Sequence, residues 1–237
     1  TEDILQYLKK YGVRTIELGV QSMDDTVLKE SCRGHNVYDV ITSSRLIRKF
    51  GFKLGLQTML GLPGDCREKV FRTAEEIIRL KPDLVRIYPT LVIRGTYLEK
   101  MYYEGIYKPL DLEEAVELCT GLVPMYRRNV IRVTRVGLQT TENIREGGDI
   151  IAGPYHPAFG QLVEAGVMLG LLRRIIDESC LYNHRGIVIY TGAGNISNVV
   201  GNKKANITYL KAKYGFSRIL VKSKDTEDKN LIIAPLP

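Results

Sequence analysis

Between residues 14 and 92 an apolar run, a segment of helical period and a glycine or proline stop follow one another twice, and this alternation restricts the possible folds more than any other feature. RTIELGV (14–20) reads as a buried strand, VYDVITSSRLIRKF (37–50) as a helix ending at Gly51, and KLGLQTML as a second strand broken by Gly61, Leu62, Pro63 and Gly64. EKVFRTAEEIIRLK (68–81) is then a helix closed by Pro82, and DLVRIYPTLV (83–92) a third strand. Strand, helix and strand in this order imply parallel pairing through right-handed crossovers. A helix at 112–129 and a strand at 130–139 continue the pattern, while 2–11 and 25–31 are shorter helical stretches.

The polar residues of this region gather just after the strand ends: Gln21 and Ser22, Gln57 with the glycines at 61 and 64, Tyr88 and Thr90, and Gln139. Loops after strands converge on one mouth in a barrel, whereas an open sheet collects them only at a switch point, so a barrel is the expected form. A closed barrel needs about eight strands and open variants about six. Four are read here, and the chain begins in a helix that should follow a strand, so further strands are expected upstream of Thr1.

Past residue 139 the pattern changes. An irregular stretch with a turn at Gly147 and Gly148 leads into the apolar-rich helix QLVEAGVMLGLLRRIIDESC. Asn183, His184 and Arg185 then join it to a small βααββ module: GIVIYT, ISNVVG, ANITYLKAKYG, SRILVK and NLIIAP. Domains are expected at 1–176 and 186–237. From Gly186 onward seven Lys and one Arg face three acidic residues, a net +5 of the chain's +7, so the positive charge sits in the tail. Gly192, Ala193 and Gly194 lack the spacing of a phosphate-binding loop and read as a hairpin or a turn entering a helix.

Hydrophobic residues at 44% and charged ones at 26% suit a globular protein. No apolar run reaches the roughly 20 residues of a membrane helix, and Thr1-Glu2-Asp3 is no signal peptide, so no membrane association and a cytoplasmic location are expected. Cys32, Cys66, Cys119 and Cys180 lie too far apart for a metal motif and are expected as reduced thiols; His35, His156 and His184 form no ligand pattern. Gln21 can offer donor and acceptor to a ligand and Arg33 can grip a carboxylate with two bonds, or the two can be a helix cap and a surface cation. The glycines at 61 and 64 can let backbone pass close to a flat ligand, or simply make a turn.

Taken together, ELGVQSMDDTVLKESCRGH, GFKLGLQTMLGLPGD, LKPDLVRIYPTLVIRGTYLEKMYYEGIYKPLDLEEAVELC, RVGLQTTENI and IAGPYHPAFGQLVEA resemble the radical S-adenosylmethionine (SAM) superfamily. Within it the chain is most similar to bacterial relatives of the Elongator catalytic subunit and, more distantly, to oxygen-independent coproporphyrinogen oxidase. The resemblance runs over 1–176 and implies a partial (β/α) radical SAM barrel. It implies that Gln21, with Ser22 beside it in GVQS, faces SAM, that Arg33 of CRGH binds the SAM carboxylate, and that Gln57 stands where relatives hold the ribose with an Asp. It further implies adenine contacts from Met59 and Gly61 and from Val136 and Leu138, with Tyr88, Gln139, Tyr155 and His156 on the substrate side.

The superfamily's CxxxCxxC loop, whose thiolates hold a four-iron four-sulfur (4Fe-4S) cluster, does not occur in this sequence, nor does the Gly-Gly-Glu that contacts the SAM amine. Both are expected upstream, so the chain alone is not expected to hold the cluster or cleave SAM. In an intact enzyme the implied partners are tRNA or another RNA and an electron donor. The tail resembles the core of a KH domain, an α+β fold whose inter-helix loop clamps nucleic-acid backbone. Gly201 matches the first glycine of its Ile-Gly-x-x-Gly-x-x-Ile pattern and Ile207 the last apolar position, while Lys204 replaces the second glycine. Gly201, Lys203, Lys204 and Lys211 are the implied nucleic-acid contacts. Two other functions stay open: a non-catalytic RNA-binding module, and a radical SAM enzyme acting on a small molecule.

Overall fold

The computed structural model describes residues 1–145, 147–224 and 231–236. Along the chain these form α1 (Glu2–Lys10), β1 (Thr15–Gln21), α2 (Asp25–Glu30), α3 (Val37–Lys49), β2 (Lys53–Leu60), α4 (Arg67–Leu80), β3 (Leu84–Pro89), β4 (Val92–Ile93) and α5 (Tyr97–Tyr103). They continue with α6 (Leu112–Arg128), β5 (Arg132–Val136), β6 (Ile150–Ala152), α7 (Phe159–Glu178), β7 (Gly186–Thr191), α8 (Ile196–Val200), α9 (Ala205–Tyr214), β8 (Arg218–Ser223) and β9 (Ile232–Pro235). Asn230, with which the last strand is expected to begin, lies outside the described residues.

Two compact units divide at Phe159 and Gly160. In the first, four parallel strands stand in the order β1-β2-β3-β5, as the strand and helix alternation requires. Alternation along each strand sorts the faces. Leu54, Leu56 and Leu60 of β2 and Val85 and Ile87 of β3 are buried, as are Val40 and Ile47 of α3, Ala74 and Ile77 of α4, and Leu118 and Leu122 of α6. The opposite face carries Glu17, Gly19 and Gln21 of β1, Gln57 and Met59 of β2, and Arg86 and Tyr88 of β3. It is polar at its centre: Arg86 donates to Glu17 at 2.9 Å across Gly55, where a Cβ would meet Glu17 Cγ at 2.5 Å.

Helix starts follow the local chemistry. Asn36 with Asp39, and Asp111 with Glu114, form reciprocal capping boxes at α3 and α6. The third strand is shorter than its apolar run. It stops at Pro89, and the chain then turns so that β4 pairs antiparallel with β6. The fourth stops at Val136 because Gly137 enters the left-handed region at φ +85°. Leu138 and Gln139 therefore lie beyond it.

The second unit contains a three-stranded sheet in the order β8-β7-β9, with β7 parallel to β8 and antiparallel to β9. Its core joins Leu172 and Ile176 of α7 to Ile187, Ile189, Val199, Leu210 and Phe216. The long apolar helix, which sequence reading attaches to the barrel, thus shares a core with the basic module. Among the described residues no helix is long and apolar enough to cross a membrane.

Candidate cofactor site

The last residue of β1 is the most constrained of the strand ends. Gln21 has φ +65°, a left-handed conformation that costs a non-glycine residue about 1 kcal/mol or more unless its surroundings impose it. Its side chain folds back over Gly19, where an added Cβ would lie 2.6 Å from Gln21 Nε2. Gln21 Oε1 is buried with no hydrogen-bond partner. A buried amide oxygen without a donor is costly, and it marks a place where a ligand N–H or O–H would be held.

Ser22, expected beside it, is not brought to the mouth. It is 2% exposed, its Oγ accepts the Asp24 N–H at 3.2 Å and lies 3.4 Å from Thr73 Oγ1 of α4. The same Thr73 hydroxyl accepts the Met23 N–H at 3.0 Å. Asp24 caps α2 and pairs with Arg72 and Lys69 of α4. Burial would raise its pKa, but the Val27 N–H and the two cations outweigh that and hold it below the usual carboxylate range. This network pins the loop to the outer helix and leaves Gln21 alone facing inward.

Arg33 follows α2 between Cys32 and Gly34, both at positive φ. Its Nη2 donates to Met59 Sδ at 3.2 Å, a weak acceptor, and its Nε is buried with no partner. Among the described residues it makes no ion pair, and partial burial lowers its pKa. A half-buried guanidinium without a carboxylate is an anion site in waiting. A cavity of about 270 Å³ opens beside it, lined by Cys32, Leu62, Pro63, Tyr97, Leu98 and Met101 among others. His35 stands between these two residues, with Nε2 3.2 Å from the Val20 carbonyl and Nδ1 3.2 Å from that of Arg33.

Gln57 lies on the same sheet face, level with Gly19 on one side and Arg86 on the other, and its amide is half-buried and unpaired among the described residues. Met59 is level with Tyr88. Gly61 turns elsewhere. Its N–H donates to Asp65 Oδ2 at 3.0 Å, its carbonyl accepts from Tyr107 Oη at 2.6 Å, and an added Cβ would strike Leu110 at 2.7 Å. Both backbone groups thus serve the turn. Asp65 also accepts the Cys66 N–H at 2.9 Å, and burial pushes its carboxyl up to about 6 despite those two bonds.

Val136 ends β5 beside Ile87. Leu138, Tyr155 and His156 line one small cavity with Pro89, Pro154 and Phe159, so three of the expected residues meet there. Tyr155 Oη lies 3.2 Å from Thr140 Oγ1, and His156 Nδ1 accepts the Ala158 N–H at 3.0 Å. Tyr88 is buried and Gln139 is exposed. Sequence reading places Thr90 after a strand end and takes His35 only as a histidine outside any ligand pattern, and it passes over Asp65; Thr90 Oγ1 is buried and unpaired among the described residues. The aspartate is signalled only by its place after Gly-Leu-Pro-Gly.

In the second unit Gly201 has φ +76°, and an added Cβ would lie 2.8 Å from Asn206 N. Asn206, 5% exposed, donates to the Ala165 and Asn198 carbonyls, both at 2.9 Å. Lys203 and Lys204 follow Gly201 in left-handed conformations and are exposed. Lys211 is turned away, donating to the Ser217 carbonyl at 3.2 Å.

The first unit's donors and acceptors fit SAM: an unpaired guanidinium for a carboxylate, an orphaned amide oxygen for N–H or O–H groups, and a free amide for ribose hydroxyls. The described residues do not fit an iron–sulfur cluster. No three His, Cys, Asp or Glu among them could share a metal, and Cys119 is buried with its thiol pushed up to about 12.

Residues 1–77 match the model of the radical SAM superfamily, and residues 82–168 that of the radical SAM C-terminal domain. The tRNA uridine(34) acetyltransferase of Methanocaldococcus jannaschii is 40% identical over 120 residues, 49% of this chain and 22% of that protein. Human Elongator complex protein 3 is 39% identical over 131 residues, 53% of this chain and 24% of that protein. The structure of Methanocaldococcus infernus Elp3 with an N-terminal deletion superimposes with a TM-score of 0.60 and 29% identity, covering 84% of this chain and 42% of that one. The chain thus matches under a quarter of the length of these curated relatives. Its first unit is a partial barrel of their type. Through residues 1–77 and 82–168, the chain belongs to the radical SAM superfamily.

Proposed function

We propose that this chain is part of a radical SAM enzyme that acts on tRNA, and that Gln21, Arg33, Gln57 and Met59 hold the SAM. The observation that carries this reading is Arg33: a partly buried cation whose one side-chain hydrogen bond among the described residues goes to a thioether. Its fork would take the methionine carboxylate of SAM with two bonds, each stronger than a neutral pair. Gln21 Oε1 would accept from the ligand, and Gln57 would bond ribose hydroxyls. SAM, when bound, supplies the adenosyl group used for hydrogen abstraction in this superfamily. The protein groups named here bind and orient; none of them has a redox role.

Val136, Leu138 and Met59 would bound the adenine, and Tyr88, Tyr155, His156 and Gln139 would face the substrate. In this reading residues 1–159 form the barrel part, and the KH-like basic module of 186–237 belongs with α7 to the second unit. There the exposed loop of Gly201, Lys203 and Lys204 would approach tRNA phosphates. An electron donor would be a partner of the intact enzyme, and its location cytoplasmic. The tRNA substrate is supported by the name of the Methanocaldococcus jannaschii relative, a tRNA uridine(34) acetyltransferase. Calorimetric titration with SAM tests the binding half: the chain is expected to bind, and Arg33→Ala to weaken binding on the order of tenfold to a hundredfold. Equal affinity in wild type and variant would remove Arg33 from the site.

A further inference from the structure

Gln21 ends β1 and Arg33 lies in the loop after α2, and neither is held by a regular ladder. Gln21 sits at φ +65° and pairs with Thr58 only across a break in the β1–β2 register, and Arg33 lies between Cys32 at φ +54° and Gly34 at φ +67°. Arg33 N donates to the Leu28 carbonyl at 3.0 Å, which fixes its backbone to the end of α2 only. The distance between the amide oxygen and the guanidinium needs another restraint. One ring supplies it.

His35 Nε2 is 3.2 Å from the carbonyl of Val20, the peptide that leads into Gln21, and its Nδ1 is 3.2 Å from the carbonyl of Arg33 itself. A carbonyl oxygen only accepts, so each contact uses a ring N–H; a neutral ring donates to one carbonyl at a time and an imidazolium to both. The Val20 carbonyl also accepts the Ser22 N–H at 2.8 Å, so the ring fastens onto a point that the turn already fixes. Capping by Asn36 and Asp39 in turn holds His35 at the entry to α3.

We infer that His35 is a positioning residue of the cofactor site: its imidazole ties the peptide entering Gln21 to the backbone of Arg33 and sets the spacing of the two groups that receive SAM. The inference rests on the reading of those two residues as SAM contacts. His35 itself touches no ligand group in this scheme and acts through its two neighbours.

Two conservative variants separate its two bonds. In His35→Gln the side-chain amide reaches the former Nε2 position and keeps the Val20 bond; in His35→Asn the amide reaches the former Nδ1 position and keeps the Arg33 bond. Amide hydrogen exchange in the free chain and calorimetry with SAM are read for both, for His35→Ala and for Arg33→Ala. His35→Ala is expected to speed exchange around residues 20–22 and 32–34 and to weaken SAM about tenfold, roughly the worth of one ordinary hydrogen bond. Gln is expected to restore slow exchange at 20–22 only and Asn at 32–34 only, each with intermediate affinity. If His35→Ala leaves exchange in both segments unchanged and its SAM affinity within about twofold of wild type, the inference is overturned. If His35→Ala loosens the segments but neither it nor Arg33→Ala alters SAM affinity, the tie stands and the SAM reading falls. Should the alanine variant unfold, the contrast between Gln and Asn decides alone, and identical behaviour of the two overturns the inference.

Discussion

Gly19 shows how a single side chain can be positioned by the absence of another. It has an ordinary backbone conformation, so alanine would be tolerated there and would suit a strand better than glycine does. Among the described residues its Cβ would meet, within 4 Å, just the amide atoms of Gln21, a flexible end that can move aside. Gly19→Ala is therefore expected to leave the thermal midpoint unchanged or slightly raised, yet to displace the Gln21 amide and weaken SAM binding several-fold. Thermal melts and calorimetry on the same sample separate these effects. A variant that melts normally and binds normally would show that Gln21 need not lie back over β1.

At the scale of elements, the connection from β2 to α4 depends on Asp65. Its carboxylate takes the N–H groups of Gly61 and Cys66, while Tyr107 closes the other side through the Gly61 carbonyl. With its pKa raised from 3.8 to about 6, the folded state favours the protonated acid. That contribution is complete below about pH 4 and is lost as pH rises through about 6, on the order of 3 kcal/mol in all. Wild type is expected to lose stability between pH 4 and pH 7 and Asp65→Asn to flatten that fall, checked by denaturant melts across that range. Parallel pH profiles for the two proteins would contradict this. Such a role was out of reach of the sequence. Gly-Leu-Pro-Gly marks a turn, but what fills it, Leu110 and Tyr107, comes from more than forty residues away.

The elements themselves were more legible than their contacts. Four parallel strands follow from apolar runs separated by helical period, because burial on both faces or one leaves that pattern in the chain. The turn of β4 toward β6 does not follow, since pairing of a two-residue strand with Ile150–Ala152 is a long-range choice with no local pattern. Ser22 was misplaced by sequence reasoning for a related reason: its neighbour in GVQS faces inward, but the bond to Thr73 of α4 turns Ser22 outward. Arg33 could be recognised from its motif, and its lack of a carboxylate partner among the described residues only from the fold.

For the whole molecule, charge is divided unevenly. The tail from Gly186 carries a net +5 of the chain's +7, and in the second unit Lys203 and Lys204 present two exposed ammonium groups beside the buried Asn206 that braces Gly201. Phosphate contacts release counterions, so their number is read from the salt dependence of binding. Lys203→Glu with Lys204→Glu is expected to weaken tRNA binding on the order of tenfold and to reduce the slope of log K against log salt by about two. Filter binding between 50 and 200 mM salt, a range in which such slopes are measurable, checks it. An unchanged slope would take the loop out of the RNA interface.

The central claim is that Arg33 receives the carboxylate of SAM. Titrating wild type and Arg33→Ala with SAM and with decarboxylated SAM, which lacks only that group, tests it most directly. Wild type is expected to prefer SAM by on the order of tenfold to a hundredfold, the worth of a charge-assisted pair, and the variant to bind both ligands alike. Equal binding of the two ligands by wild type, or an undiminished preference in Arg33→Ala, would contradict it.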